Sequence, residues 1–351
     1  VLVGVKKRTN ALTDQQSNQS AIFVISWFSP VDKGAHKSYD IITDVNKIIK
    51  INDRIYFFSR LVPSSNTTLI KGKANILIDP GYSPFRKAST LEPLVKEAGI
   101  KIKDIDEIWF THNHPDHTGL SYYLLQEKQI RIVCNPLAKK FLEWEPPLRG
   151  LTETEKIDGS ILRRIYPTHV KKRKRLASLV RNMVNFYGRP LSIGSHAIKV
   201  DDCFSPGESR YGINVLFLPG HTPDEVGFSL GSTLITGDLI ATFSFKRPAV
   251  LNVPSSDIDD AISSLKKIME ISPKLILPGH GNCKKIDTKL INEIYRQTVE
   301  LREKGIRLVK NSHSFIPYAL GLQKILPFFT IRLQERLALL LIIYKSYVKT
   351  N

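Results

Sequence analysis

Cysteine is scarce in this chain. Cys134, Cys203 and Cys283 are the only three in 351 residues. No CxxC pair occurs, so neither a disulfide framework nor a thiolate zinc site is indicated. Such a chain suits a reducing cytosol. Long apolar runs are missing as well. The longest, Leu337–Tyr344, is far too short for a bilayer span, so no transmembrane segment is expected. The start carries Lys6, Lys7 and Arg8, and the apolar stretch Ala21–Phe28 is late and brief, which argues against a signal peptide. The expected location is therefore cytoplasmic. Acidic side chains are outnumbered, 33 against 51 Lys and Arg, for a formal charge of +18. A surface of that sign attracts phosphates, acidic lipids or nucleic acid, but it does not decide the fold.

Three regions are legible. Residues 1–45 are weakly periodic, with a polar patch at Thr13–Ser20, and read as an N-terminal extension. The texture then changes. Arg54–Ser59, Asn66–Ile70 and Ala74–Ile78 read as an antiparallel meander ending at Asp79-Pro80-Gly81. A helix capped by Ser89 or Thr90 runs to Glu97 and stops at Gly99. A strand at Ile108–Phe110, a helix at Leu120–Gln126 and a strand at Ile130–Cys134 follow, the alternation of an α/β layer. Residues 136–190 are charged and mostly helical, and contain the run Lys171-Lys172-Arg173-Lys174-Arg175. Strands return at Ala197–Val200, Asn214–Leu218, Val226–Leu230 and Thr233–Thr236. A helix over Pro254–Met269, with Ser255 or Ser256 near its cap, leads to a strand at Lys274–Leu277. After Ile286 the chain reads as helical. Ile291, Ile294, Tyr295, Thr298 and Leu301 share one face there, and a last amphipathic helix spans Leu326–Val348.

Histidine carries the chemistry. Only nine occur, and three stand in His112-Asn113-His114-Pro115-Asp116-His117. In an extended segment, residues two apart point the same way, so His112 and His114 can reach one metal together. Asp116 and His117 lie beyond Pro115, where the chain turns, and can face a second point close by. Three more candidates follow strands directly: His221 after Asn214–Leu218, Asp238 after Thr233–Thr236, and His280 after Lys274–Leu277. Each is preceded by a small residue that lets the backbone approach closely. Imidazole and carboxylate donors suit zinc, iron or manganese rather than a soft-ligand metal. His36, His169, His196 and His313 fit no such pattern.

With HxHxDH followed in order by His, Asp and His on loops after strands, the sequence resembles the metallo-β-lactamase superfamily of hydrolases over about Asn46 to Lys285. The resemblance implies a four-layer αβ/βα fold with a catalytic domain at 46–285, a helical cap insertion at 136–190 and C-terminal helices at 286–351. It implies two divalent metal ions, zinc first, with iron or manganese as alternatives. His112, His114 and His221 would hold one, and Asp116, His117 and His280 the other, with Asp238 bridging. Asp79 matches an acidic position that supports a ligand histidine, although a turn role in Asp-Pro-Gly explains it equally well. Two adjacent cations acidify a shared water into a nucleophile, and Asp116 would orient it and pass a proton to the leaving group.

Within that family, His114 stands where flavodiiron members carry an acid, and Asp238 stands where the commonest zinc β-lactamases carry cysteine. The interval Leu239–Gly279 is too short for the domain that β-CASP nucleases insert. The remaining group includes glyoxalase II, acyl-homoserine lactonases, related esterases and some small nucleases. The expected activity is cleavage of an ester, thioester or lactone of a small acyl substrate, with Asp116 as the catalytic group. The alternative is a nucleic-acid-processing phosphodiesterase that uses the same metals and binds phosphate through Lys171–Arg175; a solvated helix face explains that run as well. The apolar positions Phe329, Leu333, Leu337, Leu341, Tyr344 and Val348 are expected to pack on the catalytic domain or on a second subunit, as in a homodimer. A membrane-surface role for that helix is the other reading.

Overall fold

The structure, a computed structural model, describes residues 47–60, 64–82, 88–143, 197–242, 248–252 and 256–310. The N-terminal extension, nearly all of the 136–190 insertion with its basic run, and the 326–348 helix lie outside the described residues. No helix among the described residues is long and apolar enough to cross a membrane.

Two sheets pack face to face. The first has seven strands in chain order: β1 (Lys47–Lys50), β2 (Ile55–Ser59), β3 (Thr67–Ile70), β4 (Ile76–Ile78), β5 (Glu107–Trp109), β6 (Arg131–Cys134) and β7 (Asp202–Cys203). Pairing is antiparallel from β1 to β4 and parallel from β4 to β7. The second sheet draws on β8 (Ser209–Arg210), β9 (Ile213–Phe217), β10 (Val226–Leu230) and β11 (Thr233–Gly237). A small ribbon of β12 (Ile240–Ala241) and β13 (Ala249–Val250) comes next, before β14 (Leu275–Pro278) and β15 (Lys284–Lys285). Its order is β15-β14-β11-β10-β9-β8, with β11 and β14 parallel.

Alternation along each strand explains the layering. In β2, Ile55 and Phe57 face the second sheet, while Tyr56 and Phe58 face helices. Trp109 and Val133 likewise point inward, and Ile108 and Ile132 outward. In the second sheet Val215, Ile235 and Leu277 meet the first sheet, whereas Leu234 and Ile276 meet helices on the far side. Strands covered on both faces need apolar residues at nearly every position, which is why they read as continuous runs.

The helices complete four layers, in the αβ/βα arrangement. Those on the first sheet are α1 (Glu92–Glu97), α3 (Ser121–Glu127) and α4 (Pro136–Leu142), while α2 (Pro115–Thr118) is a single turn in the loop after β5. On the second lie α5 (Ile258–Ile271) and α6 (Thr288–Lys310), packed through Ala261, Leu265, Ile268, Ile291 and Ile294. Three local expectations change. Ser89 and Thr90 do not cap α1; they lie in a 3-10 turn, Ala88–Leu91, and Pro93 sets the first α-helical turn. The cap of α5 is Asp257, whose carboxylate accepts from the N–H groups of Asp259 and Asp260. Ala197–Val200 forms no strand, because its backbone is tied to the end of α4 and beyond. Ile198 N–H donates to Leu142 O and Val200 N–H to the Glu143 carboxylate, so pairing begins only at Asp202.

Candidate metal centre

The seven ligand candidates come from separate places in the chain, and the fold gathers them. β5 ends at Trp109, and Thr111 N–H donates to Asp79 Oδ1 at 2.9 Å, which anchors the start of the histidine loop. Pro115 opens the single turn of α2, in which His117 N–H and Thr118 N–H both donate to His114 O. That turn places Asp116 and His117 in a second group, with the centroid of the His117 ring 4.1 Å from that of His112. His221, Asp238 and His280 stand beyond the ends of β9, β11 and β14.

Two groups result. His112, His114 and His221 form one, and Asp116, His117, Asp238 and His280 the other; within each group the ligand atoms lie within 4.8 Å of one another. In the first, His114 Nδ1 is 2.9 Å from His112 Nε2 and 3.2 Å from His221 Nε2. In the second, His280 Nε2 is 3.0 Å from Asp116 Oδ2. Asp238 joins them: its Oδ2 lies 3.3 Å from His280 Nε2 and 3.5 Å from His221 Nε2. His112, His117, His221, Asp238 and His280 are buried, while His114 and Asp116 are partly exposed and mark the open side.

The residues fit divalent cations. His117 Nε2 and Asp238 Oδ1 are buried, 3.4 Å apart, and neither has a hydrogen-bond partner of good geometry. Unpaired polar atoms of this kind are costly in a protein interior unless something bridges them. The backbone closes tightly around them. A Cβ at Gly279 would collide with Asp238 Oδ1 and lie 2.7 Å from His117 Cε1. Gly237, at φ 53°, brings the backbone equally close to Glu225 and Thr111.

The two groups differ electrostatically. Burial pushes His221 down to about 4, against the pull of Asp238. Burial and the surrounding imidazoles hold His112 well below its ordinary range. Both imidazoles are therefore neutral and ready to donate lone pairs. In the second group burial acts in the same direction, but carboxylates outweigh it. Asp238 and Asp116 hold His280 up at about 9, and Asp238, Asp79 and Asp116 raise His117. Burial would raise the carboxyls of Asp116 and Asp238, yet His117 and His280 keep both below the ordinary value.

Supporting contacts surround the ligands. Asp79 Oδ2 accepts from Thr111 Oγ1 at 2.7 Å and lies 2.8 Å from His117 Nδ1, which directs Nε2 into the site. Asp79 also sits at φ 49°, so it serves the turn and the histidine together. His221 Nδ1 meets Leu251 O at 2.9 Å, and Ser256 Oγ donates to His221 O. Sequence reasoning missed Asp224 and Glu225. Asp224 Oδ2 accepts from the backbone and the side-chain amide of Asn113, both at 2.9 Å, and so clamps the histidine loop. Glu225 Oε1 accepts from Asp238 N–H. An adjacent pair of acids after a Thr-Pro turn reads locally as surface; only their burial gives them away.

The profile of the Metallo-beta-lactamase superfamily matches residues 61–280. The chain is similar to the probable metallo-hydrolase MJ0888 of Methanocaldococcus jannaschii, at 28% identity over 67% of this chain and 92% of that one. It is also similar to the probable metallo-hydrolase YqjP of Bacillus subtilis, at 23% identity over 61% of this chain and 66% of that one. Among solved structures, the metallo-beta-lactamase family protein TTHA1429 from Thermus thermophilus shares the fold. Its TM-score is 0.57 at 19% identity, covering 84% of this chain and 95% of that one.

Proposed function

This chain belongs to the metallo-beta-lactamase superfamily, and from that premise we propose that it is a hydrolase that holds two divalent cations and cleaves an ester, thioester or lactone of a small substrate. The observation that carries the reading is the position of Asp238 Oδ2, within 3.5 Å of both His221 Nε2 and His280 Nε2. One carboxylate oxygen thus faces both ligand groups. His112, His114 and His221 would hold one cation, and Asp116, His117 and His280 the other, with Asp238 shared. Their all-nitrogen-and-oxygen donor set suits zinc, and also iron or manganese. When bound, such a pair supplies Lewis acidity, lowering the pKa of water and stabilising a developing oxyanion.

The residues do the rest. Asp116 is ionised, because the charges of His117 and His280 outweigh its burial. It lies on the open side of the site. It can therefore take the proton of an attacking water and return it to a leaving alkoxide or thiolate. The buried imidazoles of His112 and His221 stay neutral and fix the geometry around it. Substrate approaches past His114 and Asp116, since the remaining ligands are covered.

The interval between Asp238 and His280 argues against one nucleic-acid-processing branch, the β-CASP nucleases. Its described residues are the short ribbon of β12 and β13 and the single helix α5, packed on the second sheet. The 41 residues from Leu239 to Gly279 leave no room for the domain those nucleases insert, and a phosphodiesterase on the same metals is the reading to be tested against the acyl one. The test is a hydrolysis panel of thioesters, lactones, phosphodiesters and RNA, run before and after chelation. Thioester or lactone turnover is expected, lost with the chelator, restored by zinc, and lowered by about 10²–10⁴-fold in Asp116→Ala. Cleavage of phosphodiesters or RNA alone would overturn the acyl reading.

A further inference from the structure

The loop that carries His280 has an unusual arrangement of hydrogen bonds. Five consecutive carbonyls, from Pro278 to Asn282, each accept from one of two residues. Asn66 supplies three of these bonds: its Nδ2 donates to Pro278 O at 2.9 Å and to Gly281 O at 2.7 Å, and its backbone N–H to Gly279 O at 2.7 Å. Thr242 supplies the other two, from its N–H to His280 O at 3.0 Å and from its Oγ1 to Asn282 O. Both residues are buried.

Asn66 belongs to a segment that also reaches Asp116 directly and His117 through the Asp79 turn. Ser65 N–H donates to Asp116 O at 3.0 Å. Arg60 N–H donates to Asn66 Oδ1 at 2.8 Å, and its guanidinium donates to Pro80 O at 2.8 Å and Tyr82 O at 2.9 Å. That second pair of bonds braces the turn holding Asp79, the partner of His117, and Gly81 N–H in turn donates to His117 O. Arg60, Ser65 and Asn66, which lie between β2 and β3, therefore brace Asp116, His117 and His280. The first group has braces of its own, Asp224 through Asn113 and Leu251 and Ser256 at His221, while the Asp79 turn serves both groups, since Thr111 Oγ1 bonds Asp79 Oδ2 and lies 3.0 Å from His112 Nδ1.

We propose that Asn66, assisted by Thr242, is a positioning residue for the second metal. It fixes the carbonyl string that aims His280 at Asp116 and Asp238, and it leaves the three-histidine group independent. The inference rests on the two-metal reading above. An amide is suited to this role because it donates twice while its oxygen accepts, a combination neither aspartate nor leucine reproduces.

The test is stepwise zinc titration of the full chain against a competing chelator, with metal counted by native mass spectrometry and folding followed by circular dichroism. Wild type is expected to bind two ions. Asn66→Ala keeps the first with unchanged affinity and binds the second about 10- to 100-fold more weakly. Thr242→Val, which loses only the Oγ1 donor, weakens the second ion to a smaller degree, and Thr242→Ser restores it. Should Asn66→Ala fail to fold, the Thr242 pair decides. If the variants bind the second ion as tightly as wild type, or lose both ions in parallel, the proposal is wrong. A wild type that takes up a single ion would overturn the two-metal reading and this inference together.

Discussion

Glu225 lies directly beneath Asp238, its Oε1 accepting the Asp238 backbone N–H at 2.6 Å and the Leu239 N–H at 3.2 Å. The side chain is fully buried, and its Oε2 has no hydrogen-bond partner among the described residues. Burial, reinforced by the Asp238 charge, pushes its carboxyl well above the ordinary range. The shared carboxylate of the site thus rests on an acid whose surroundings favour the protonated form over a second anion.

Replacement of that acid separates shape from charge. Glu225→Gln keeps the acceptor and is expected to cost less than Glu225→Ala, which leaves two buried N–H groups unpaired at about 1–3 kcal/mol. Urea unfolding of the metal-free variants measures the difference. A glutamine variant no more stable than the alanine variant would show that acceptance of the Asp238 and Leu239 N–H groups is not what holds Glu225 there.

Gly279 tests the tightness of the second ligand group. A methyl there would press on Asp238 Oδ1 and His117 Cε1 at once. Gly279→Ala is expected to retain the three-histidine site and lose one equivalent of metal, read by mass spectrometry. Full loading of this variant would show that the loop yields more easily than its hydrogen bonding implies.

The metal-free protein should be most stable near pH 6.5. His280 is raised from 6.5 to about 9, first against burial and then by Asp238 and Asp116. A raised folded pKa gives stability that is complete below 6.5 and lost as pH rises through 9. His221 is lowered by burial to about 4. Its neutral form is favoured in the fold, so its contribution is complete above 6.5 and lost as pH falls toward 4. Thermal melts in chelator from pH 4.5 to 9.5 should trace a dome, and a curve rising steadily to pH 9 would contradict the assignment for His280. Zinc should flatten the alkaline side by displacing the His280 proton.

Much of the site is legible in the order of the residues. His112, His114, Asp116 and His117 are neighbours along the chain, so their pattern is local. His221, Asp238 and His280 each follow an apolar strand and a small residue, which marks strand-end loops. The strands are legible because two-sided burial demands apolar runs. Boundaries are less so: the 3-10 turn at Ala88–Leu91 and the non-strand at 197–200 depend on Pro93 and on bonds to Leu142 and Glu143.

The sequence by itself determined which side chains could bind metal and at which ends of which strands they would stand, because strand periodicity and turn residues are written in adjacent positions. Only the tertiary structure decided what aims them. Asn66 Nδ2 reaches Pro278 O across 212 positions of chain, and Asp224 reaches Asn113 across 111. Such bonds exist because two sheets pack face to face and bring their loops to one edge. An asparagine before a strand or an acid after a turn carries no local mark of that meeting. Burial makes these groups pair, and burial is a property of the packed chain alone.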